Sequence, residues 1–410
     1  ILEDKGNKFS MNRQQRRLEK KGEKKKGVLD AATQVEVDGI LNLGHQNHQA
    51  GMLDDAQTLY KKVLSLDPNN TEANHLLGVV AHHTGNLETG IELISKAVRS
   101  HPAHFAALNN LGNAQAQAGL SADAEKSYRK ALKFKPDYAM AHGNLGKVLM
   151  DAGRLGDAIK HLSQAIQLEA ANPAHHINHG AACMATGLVE EAEASFRSAL
   201  ELTPADYSVH NELGILLQAD GRLDGAEACY KRTIEINETS VEAHVNMGNL
   251  MEDCLRFEDS KGNFHHAIEL EPGNVDAHRN LGMVLLRQGD FENGFAEYAW
   301  RVSAHARDEE SQFQGKVWDG GGESGRRILI HAEQGLGDTI QFARYLPVLE
   351  GMGYEVVFEC QPPLVDLMAS LPGEFQIIGK GDTLPDFDIH APLLSLPGLL
   401  KGTLETIPSG

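Results

Sequence analysis

Small, large and polar residues recur in one 34-residue pattern that runs from residue 37 to residue 308 without an insertion. With each repeat numbered from Val37, position 7 is apolar in seven repeats, position 20 is always small and position 24 is always large. A phase held over eight periods indicates a repeat architecture. Position 8 is glycine in every repeat: Gly44, Gly78, Gly112, Gly146, Gly180, Gly214, Gly248 and Gly282.

The spacing of small and large positions predicts two closely packed antiparallel helices in each repeat. A large side chain at position 24 needs small residues at positions 8 and 20 if the helices are to approach closely. A second glycine at position 15, which only Leu255 replaces, supplies the positive φ of the turn between the helices. Proline at position 32 in five repeats ends the second helix. Residues 37–308 are therefore predicted to be all-α.

The flanking residues divide the rest of the chain into three segments. Residues 1–36 are polar and basic, and we expect a disordered leader rather than a contact with an acidic partner, because no apolar face accompanies the charge. Residues 309–325 are polar and rich in glycine, which predicts a linker. In residues 326–410 the runs RRILIHAE, EVVFEC, FQIIGKG and FDIHAPLLSLP are strand-like and alternate with helical stretches, which predicts a parallel sheet with right-handed crossovers.

Composition excludes several classes of protein. The net charge of −19 argues against nucleic-acid binding, which needs a basic surface. The four cysteines form no CxxC pair, which favours a reducing compartment and excludes a cysteine zinc site. No apolar run is long enough for a membrane helix, and no secretory signal is present. We therefore expect a cytoplasmic protein without a membrane span.

The 20 histidines do not predict a metal site. Those at position 4 lie one repeat apart, and helices that stack at about 10 Å cannot share a metal with bonds of about 2 Å. The pairs His45/His48 and His82/His83 lack a carboxylate or thiolate at a recognisable spacing. The sequence-based expectation is packing at position 4, in His142, His176, His210, His244 and His278.

The turn Gln334–Asp338, QGLGD, lies between a predicted buried strand and a predicted helix. Its glycines allow close approach of a ligand, and the following helix N-terminus favours negative charge. A dinucleotide fingerprint is an alternative, but Ile340 stands where the third glycine belongs, although Glu359 would suit a ribose. The other alternative is a structural turn in which Asp338 is the N-cap.

The repeat pattern resembles the tetratricopeptide repeat (TPR), and the resemblance covers all of residues 37–308. It implies an all-α superhelical solenoid of eight repeats, with the first helix of each repeat on the concave wall. Gly294 and Arg301 stand at packing positions of the last repeat, as expected where a terminal repeat meets a different neighbour.

Residues 318–408 resemble the start of the catalytic domain in bacterial proteins that join TPR arrays to a GT-B glycosyltransferase. The most specific run is GLGDTIQFARYLP. The repeats are similar to those of O-linked N-acetylglucosamine transferases, and the α/β segment is similar to the first Rossmann-like half of heptosyltransferase-like enzymes. The resemblance implies that Asp338 is the base for the acceptor hydroxyl. It also implies acceptor or sugar contacts from His331, Glu333, Gln334, Gly335 and Gly337.

A GT-B enzyme binds its nucleotide sugar mainly through a second Rossmann-like half, which residues 1–410 do not contain. The resemblance therefore implies no cofactor in this chain, a nucleotide-sugar donor for the full-length protein, and no turnover by this chain alone.

Asparagine recurs at position 6, on the predicted concave wall, and could bind the backbone of an extended peptide, since each amide offers a donor and an acceptor. The alternative is that these amides only satisfy neighbouring repeats. We hypothesise a protein-binding TPR scaffold that presents a polypeptide acceptor to a glycosyltransferase for O-glycosylation. The alternative function is a non-catalytic assembly scaffold with a vestigial α/β segment. The asparagines are Asn42, Asn110, Asn144, Asn178, Asn246 and Asn280.

Overall fold

The computed structural model describes residues 30–302, 313, 316–322, 324–333 and 335–408. The chain forms two compact units, one within residues 1–216 and one within residues 217–410. Most of the described residues belong to helices, and a small parallel sheet lies near the C-terminus. Among the described residues, no helix is both long and apolar enough to cross a membrane.

The first unit consists of helices that pack in sequence order. They are α1 (Ala31–Gln49), α2 (Leu53–Leu66), α3 (Thr71–His83), α4 (Leu87–Ser100), α5 (Phe105–Gln117), α6 (Ser121–Phe134), α7 (Ala139–Asp151), α8 (Leu155–Leu168), α9 (Pro173–Ala185), α10 (Val189–Leu202) and α11 (Tyr207–Ala219), which continues into the second unit. From α3 onward the first helix of each pair begins 34 residues after the previous one, as the sequence pattern predicts.

The predicted complementarity of small and large residues is confirmed inside the helix pairs. A Cβ added at Gly112 would lie 2.5 Å from the Tyr128 ring, and one added at Gly146 would lie 2.5 Å from Leu162. Tyr128 and Leu162 are buried in one continuous core with Leu145. The helices of a pair therefore approach closely enough that only glycine fits at position 8.

The turns within the pairs also follow the prediction. Gly119, at position 15, has φ +75°. Leu255 occupies the same position of a later repeat and adopts φ +58°, a conformation that costs an L-residue about 1–2 kcal/mol. The repeat geometry therefore imposes the turn even where glycine is missing.

The predicted leader is too long at its C-terminal end. Helix α1 begins at Ala31, and Asp30 caps it by accepting a hydrogen bond from the Thr33 backbone N–H at 2.9 Å. Residues 31–36 are therefore helical, because an N-cap aspartate satisfies the free amides of the first turn. Residues 1–29 lie outside the described part of the chain.

The described residues of the second unit form further repeat helices and a five-stranded sheet. The helices are α12 (Leu223–Ile236), α13 (Val241–Asp253), α14 (Phe257–Leu270), α15 (Val275–Arg287) and α16 (Phe291–Tyr298). The strands are β1 (Lys316–Val317), β2 (Arg327–His331), β3 (Glu355–Cys360), β4 (Gln376–Gly379) and β5 (Ile389–Pro392), in the order β1-β5-β2-β3-β4 with every pair parallel. The predicted parallel sheet is thus confirmed.

Short helices follow strands β2, β3 and β5. They are α17 (Leu336–Phe342) and α18 (Leu346–Gly351) after β2, α19 (Val365–Met368) after β3, and α20 (Leu396–Leu399) after β5. Single 3₁₀ turns at Ala343–Tyr345, Pro362–Leu364 and Leu393–Ser395 precede the last three of these helices.

Part of the segment predicted as a linker belongs to the sheet. Strand β1 pairs with β5, and Trp318, which follows β1, is only 3% exposed in the core of the α/β segment. The linker prediction is therefore wrong for residues 316–318, because an edge strand and a large aromatic side chain complete the core.

Candidate functional site

Asn144 and Asn280, which are among the predicted peptide-binding asparagines, each donate to an asparagine of the preceding repeat. Asn144, on α7, donates one amide hydrogen to Asn109 Oδ1 at 3.0 Å and one to Asn113 Oδ1 at 2.9 Å. Asn280, on α15, donates to Asn249 Oδ1 at 2.8 Å. The competing use of these amides, satisfaction of neighbouring repeats, is therefore present at both positions.

The hydrogen bonds around Asn144 extend along the first helices of three successive repeats. The Tyr128 hydroxyl donates to Asn113 Oδ1 at 2.8 Å. Asn109 Nδ2 lies 3.5 Å from Asn110 Oδ1, and at the other end of the network Asn110 Nδ2 lies 3.0 Å from His75 Nε2. The two bonds that Asn144 donates fix the orientation of its amide, and the bonds that Asn113 Oδ1 accepts fix that of Asn113. Among the described residues, none donates to Asn144 Oδ1, so this oxygen can accept a hydrogen bond from a ligand.

The other predicted asparagines differ in their surroundings. Asn42 is exposed and Asn178 is partly buried, and no hydrogen bond joins either amide to another residue in the described ranges. Asn246 is partly buried on α13. The asparagines of the first unit therefore include amides that are fixed by neighbours and amides that are open.

A carboxylate and two imidazoles meet at the end of the network marked by His75. Glu72, in the first turn of α3, lies 3.3 Å from His104 Nε2 through Oε2 and 4.0 Å from His75 Nδ1 through Oε1. The two imidazole rings pack edge to face with centroids 4.9 Å apart. His75 is only 5% exposed, and its Nδ1 has no hydrogen-bond partner among the described residues.

The surroundings set the charge states of this group. Burial, together with repulsion from His104, lowers the pKa of His75 to about 4, so its ring is neutral near pH 7. The hydrogen bond from His104 lowers the pKa of the Glu72 carboxyl, which is therefore ionised. The group thus presents one negative charge beside a neutral imidazole.

The turn between β2 and α17 is the second candidate site. Gly335 has φ +88° and precedes α17, and the Asp338 carboxylate folds over it, since a Cβ on Gly335 would lie 2.7 Å from Asp338 Oδ2. Asp338 and Gly337 are exposed. The N-cap residue of α17 is Gly335, and no side chain caps this helix. The interpretation of Asp338 as the N-cap is therefore wrong. Gln334 lies outside the described residues.

His331 and Glu333, which flank this turn, contact other parts of the chain. His331 is 8% exposed and stacks on Phe313 with ring centroids 4.6 Å apart. Burial, with His390 nearby, lowers the pKa of His331 to about 3. This geometry agrees with the alternative use of His331 as a strand residue under the cover of the sheet.

Glu333 forms an ion pair that joins the end of the repeat helices to the sheet within the second unit. Arg301, which is 8% exposed, donates to both Glu333 oxygens at 3.2 Å and to Ser395 Oγ at 3.0 Å. The Leu394 backbone N–H also donates to Glu333. These bonds give Glu333 a structural role, whereas Asp338 remains exposed to solvent.

Two models of known protein families match the repeat region of the chain. A family model described as "Cilia and flagella-associated protein 70 C-terminal domain" matches residues 7–247, which is more than half of the chain. The chain belongs to this family. A tetratricopeptide-repeat model matches residues 255–300, so the chain is a TPR protein. Neither match extends beyond residue 300, and the glycosyltransferase resemblance of residues 318–408 stays a prediction.

Solved structures are similar to parts of this TPR protein. The crystal structure of MamA is 25% identical and covers 40% of this chain and 95% of its own, with a TM-score of 0.38. A structure titled "YrrB: a TPR protein with an unusual peptide-binding site" is 19% identical over 45% of this chain and 95% of its own, with a TM-score of 0.38. The C-terminal part of a TPR protein from Cytophaga hutchinsonii is 16% identical and covers 59% of this chain and 99% of its own, with a TM-score of 0.47. No curated protein matches the chain.

The position-4 histidines of this TPR protein do more than the predicted packing. His142 Nε2 lies 3.0 Å from the Pro136 carbonyl oxygen, and His278 Nε2 lies 3.0 Å from that of Pro272. The same contact, six residues back, recurs at His176, His210 and His244. Sequence reasoning missed these bonds, although the constant six-residue distance to the inter-repeat turn could have suggested them.

Proposed function

We propose that the first helices of the repeats in the first unit bind an extended polypeptide. The observation that carries this proposal is the fixed amide network around Asn144, which leaves the Asn144 Oδ1 able to accept a hydrogen bond. A peptide backbone offers N–H donors at regular intervals, and amide side chains can bind it with little regard to its sequence. The protein would then act as a TPR scaffold.

The electrostatics of the described residues support a polypeptide rather than a nucleic acid. The whole chain carries a net charge of −19, and nucleic-acid binding depends on basic side chains that replace counterions. The network itself consists of neutral amides, and an acidic carboxylate, Glu72, lies at one end. A neutral-to-acidic surface of this kind suits neutral or basic peptides.

The test is a selection of extended peptides from a displayed random library against the chain, followed by affinity measurements. Replacing Asn110, Asn144 and Asn178 together by alanine should weaken a selected peptide at least tenfold, because each lost hydrogen bond is worth about 1 kcal/mol. The control is Asn69→Ala, an exposed asparagine in the turn before α3. Equal affinity of the triple variant and the wild type, or failure to select any peptide, would contradict the proposal.

We also propose that residues 326–410 belong to the first half of a GT-B glycosyltransferase to which the repeats present the bound polypeptide. Support comes from the parallel sheet, the glycine turn after β2 and the exposed carboxylate of Asp338. Ligands bind open parallel α/β sheets at the carboxyl ends of the strands, where this turn lies. The role of Asp338 is to accept the proton of the attacking acceptor hydroxyl.

This second proposal requires the chain together with a donor-binding half, a set of sugar nucleotides and the selected peptide. Asp338→Asn should reduce sugar transfer at least about 100-fold, as expected for a lost general base, while peptide affinity stays unchanged. The control is Asp366→Asn, which removes an exposed carboxylate in the first turn of α19. Transfer at the wild-type rate by Asp338→Asn would exclude this base, and an absence of any transfer would favour the non-catalytic scaffold.

A further inference from the structure

We propose that Glu72, His75 and His104 form a binding site for a divalent transition-metal cation such as Zn²⁺. The site lies in the first unit, between α3 and the start of α5, and it does not depend on the proposed peptide-binding function. The sequence pattern predicts no metal site, and this proposal replaces that expectation.

The separation of the candidate ligand atoms is close to that of atoms bound to one metal ion. One nitrogen from each imidazole and one carboxylate oxygen all lie within 4.8 Å of one another. With bonds of about 2.0–2.1 Å, two ligands of a tetrahedral zinc are about 3.3 Å apart. The distance from Glu72 Oε2 to His104 Nε2 is already 3.3 Å. Only His75 Nδ1 must move closer to the other two ligand atoms.

His75 provides the observation that distinguishes this group from an ordinary ion pair. Its Nδ1 is buried, has no hydrogen-bond partner among the described residues and lies 4.0 Å from Glu72. A buried imidazole nitrogen without a partner loses its hydration without compensation. A cation between His75 and Glu72 would satisfy this nitrogen.

The second nitrogen of His75 has a partner that can support metal binding. Nε2 lies 3.0 Å from the Asn110 side-chain amide. Binding through Nδ1 places the ring proton on Nε2. Asn110 accepts a hydrogen bond from this N–H when its amide turns so that Oδ1, which otherwise accepts from Asn109 at 3.5 Å, faces the ring. Such an outer hydrogen bond fixes the orientation of a metal-binding histidine.

His104 is fixed in position by the backbone. As the N-cap residue of α5, its Nδ1 accepts a hydrogen bond from the Ala107 N–H at 3.2 Å. The remaining nitrogen, Nε2, is therefore the one that faces Glu72. The corresponding positions in other repeats carry Asn70 and Asn274, whose side chains make the same cap. A histidine here can make the same cap, with its proton on Nε2 and donated to Glu72. To bind a metal through Nε2, it moves that proton to Nδ1 and gives up the bond from Ala107.

The ligand set indicates the class of cation. Two imidazoles and one carboxylate suit zinc and its transition-metal neighbours, whereas magnesium and calcium prefer oxygen ligands. The Glu72 side chain is 47% exposed, so a bound cation is open to solvent on that side. Water or a donor group of another molecule would complete the coordination.

The experiment is a titration of the whole chain with Co²⁺, whose visible absorption reports the ligand geometry, and then with Zn²⁺ in competition. We expect one site that Glu72→Gln and His104→Asn each weaken at least tenfold. His104→Asn keeps the helix cap, and Glu72→Gln changes a half-exposed group, so both variants should fold, as circular dichroism will check. Zn²⁺ should also raise the Tm of the wild type, because the three ligands are brought together only in the folded state, but not that of Glu72→Gln.

The matched control is Glu169→Gln. Glu169 Oε2 lies 3.3 Å from His175 Nε2, the same distance as in the proposed site, but no third ligand completes a cluster around it within the described ranges. This variant should bind Co²⁺ as the wild type does. The proposal is overturned if the wild type binds no Co²⁺, if Glu72→Gln and His104→Asn bind as well as the wild type, or if Glu169→Gln weakens binding equally.

Discussion

The repeat helices and the α/β segment are stabilised by contacts of two different kinds. The contact of Gly112 with Tyr128 has counterparts in most repeats, for example Gly180 with Phe196. The ion pair of Arg301 with Glu333 occurs once and joins residues from two kinds of element. A contact that repeats can be inferred from the sequence period, whereas a contact that occurs once leaves no periodic signal. The difference also predicts where single substitutions have their largest effects.

The largest effect is expected from Arg301→Met, which removes the charge of a buried, unrepeated contact but keeps an unbranched apolar stem. It leaves Glu333 partly buried without its cation, which costs about 3–5 kcal/mol. Both tryptophans, Trp300 and Trp318, lie in the second unit, so unfolding in urea followed by tryptophan fluorescence measures the loss.

The matched control is Arg327→Met. The Arg327–Glu355 pair is also between arginine and glutamate, but its side chains are 41% and 65% exposed, and exposed pairs are worth about 0–1 kcal/mol. If both variants lose the same free energy of unfolding, the buried Arg301–Glu333 pair contributes no more than an exposed pair, and the prediction is wrong.

The second-largest loss of stability is expected from a substitution at a contact that recurs in the repeats. Gly112→Ala places a Cβ 2.5 Å from the Tyr128 ring, and such overpacking costs about 2–3 kcal/mol. The comparison variant is Gly119→Ala, where a Cβ meets open space but φ is +75°, with an expected cost of about 1–2 kcal/mol. Urea unfolding by circular dichroism measures both. A larger loss in Gly119→Ala would show that the turn, rather than the packing of position 8, limits stability.

Acid should destabilise both regions, because each buries a neutral histidine. The pKa of His331 falls to about 3 in the folded chain from 6.5, so the unfolded chain binds more protons below pH 6.5. The contribution of His331 to the free energy of unfolding is therefore fully present above pH 6.5 and is lost as the pH falls toward 3. From pH 7 to pH 5 the loss is about 2 kcal/mol for this group.

Tryptophan fluorescence at the two pH values measures this loss in the second unit, where His390 and Lys380 also act on the ring. His331→Phe, which keeps an aromatic ring against Phe313, should reduce the dependence. If the stability of His331→Phe depends on pH as strongly as that of the wild type, other titrating groups cause the dependence. His75, with a pKa of about 4, should give the first unit a dependence of the same sign.

The smallest effect should be a gain. Leu255→Gly relieves the left-handed backbone at φ +58°, and the Leu255 side chain is 67% exposed, so little packing is lost. We expect a net gain of about 0.5–1 kcal/mol, because the relief exceeds the entropy that glycine loses on folding. Leu120→Gly, at φ −87°, is the control and should give no gain in the urea midpoint.

The repeat pattern was sufficient to predict the helix pairs, their turns and the close contacts at position 8, because these depend on local spacing. The four main strands could be predicted because apolar runs mark buried strands. Strand β1 could not, since two residues in a polar segment carry no pattern and gain their place only by pairing with β5.

The candidate sites were less predictable for a related reason. His75 and His104 occupy positions 5 and 34 of one repeat, and a search of each position separately does not bring them together. They meet because position 34 caps the next helix, beside the first turn of the previous one. Likewise, nothing in the sequence near Glu333 indicated Arg301, which is 32 residues away.

The hydrogen bonds of Asn144 have a consequence for how such arrays change in length. They reach back 35 residues to Asn109 and 31 residues to Asn113. Deletion of residues 139–172, one whole repeat, would place Asn178 at the same two distances from these partners. Duplication or loss of a repeat can therefore leave the amide connections intact, so evolution can lengthen or shorten this row of amides without redesigning it.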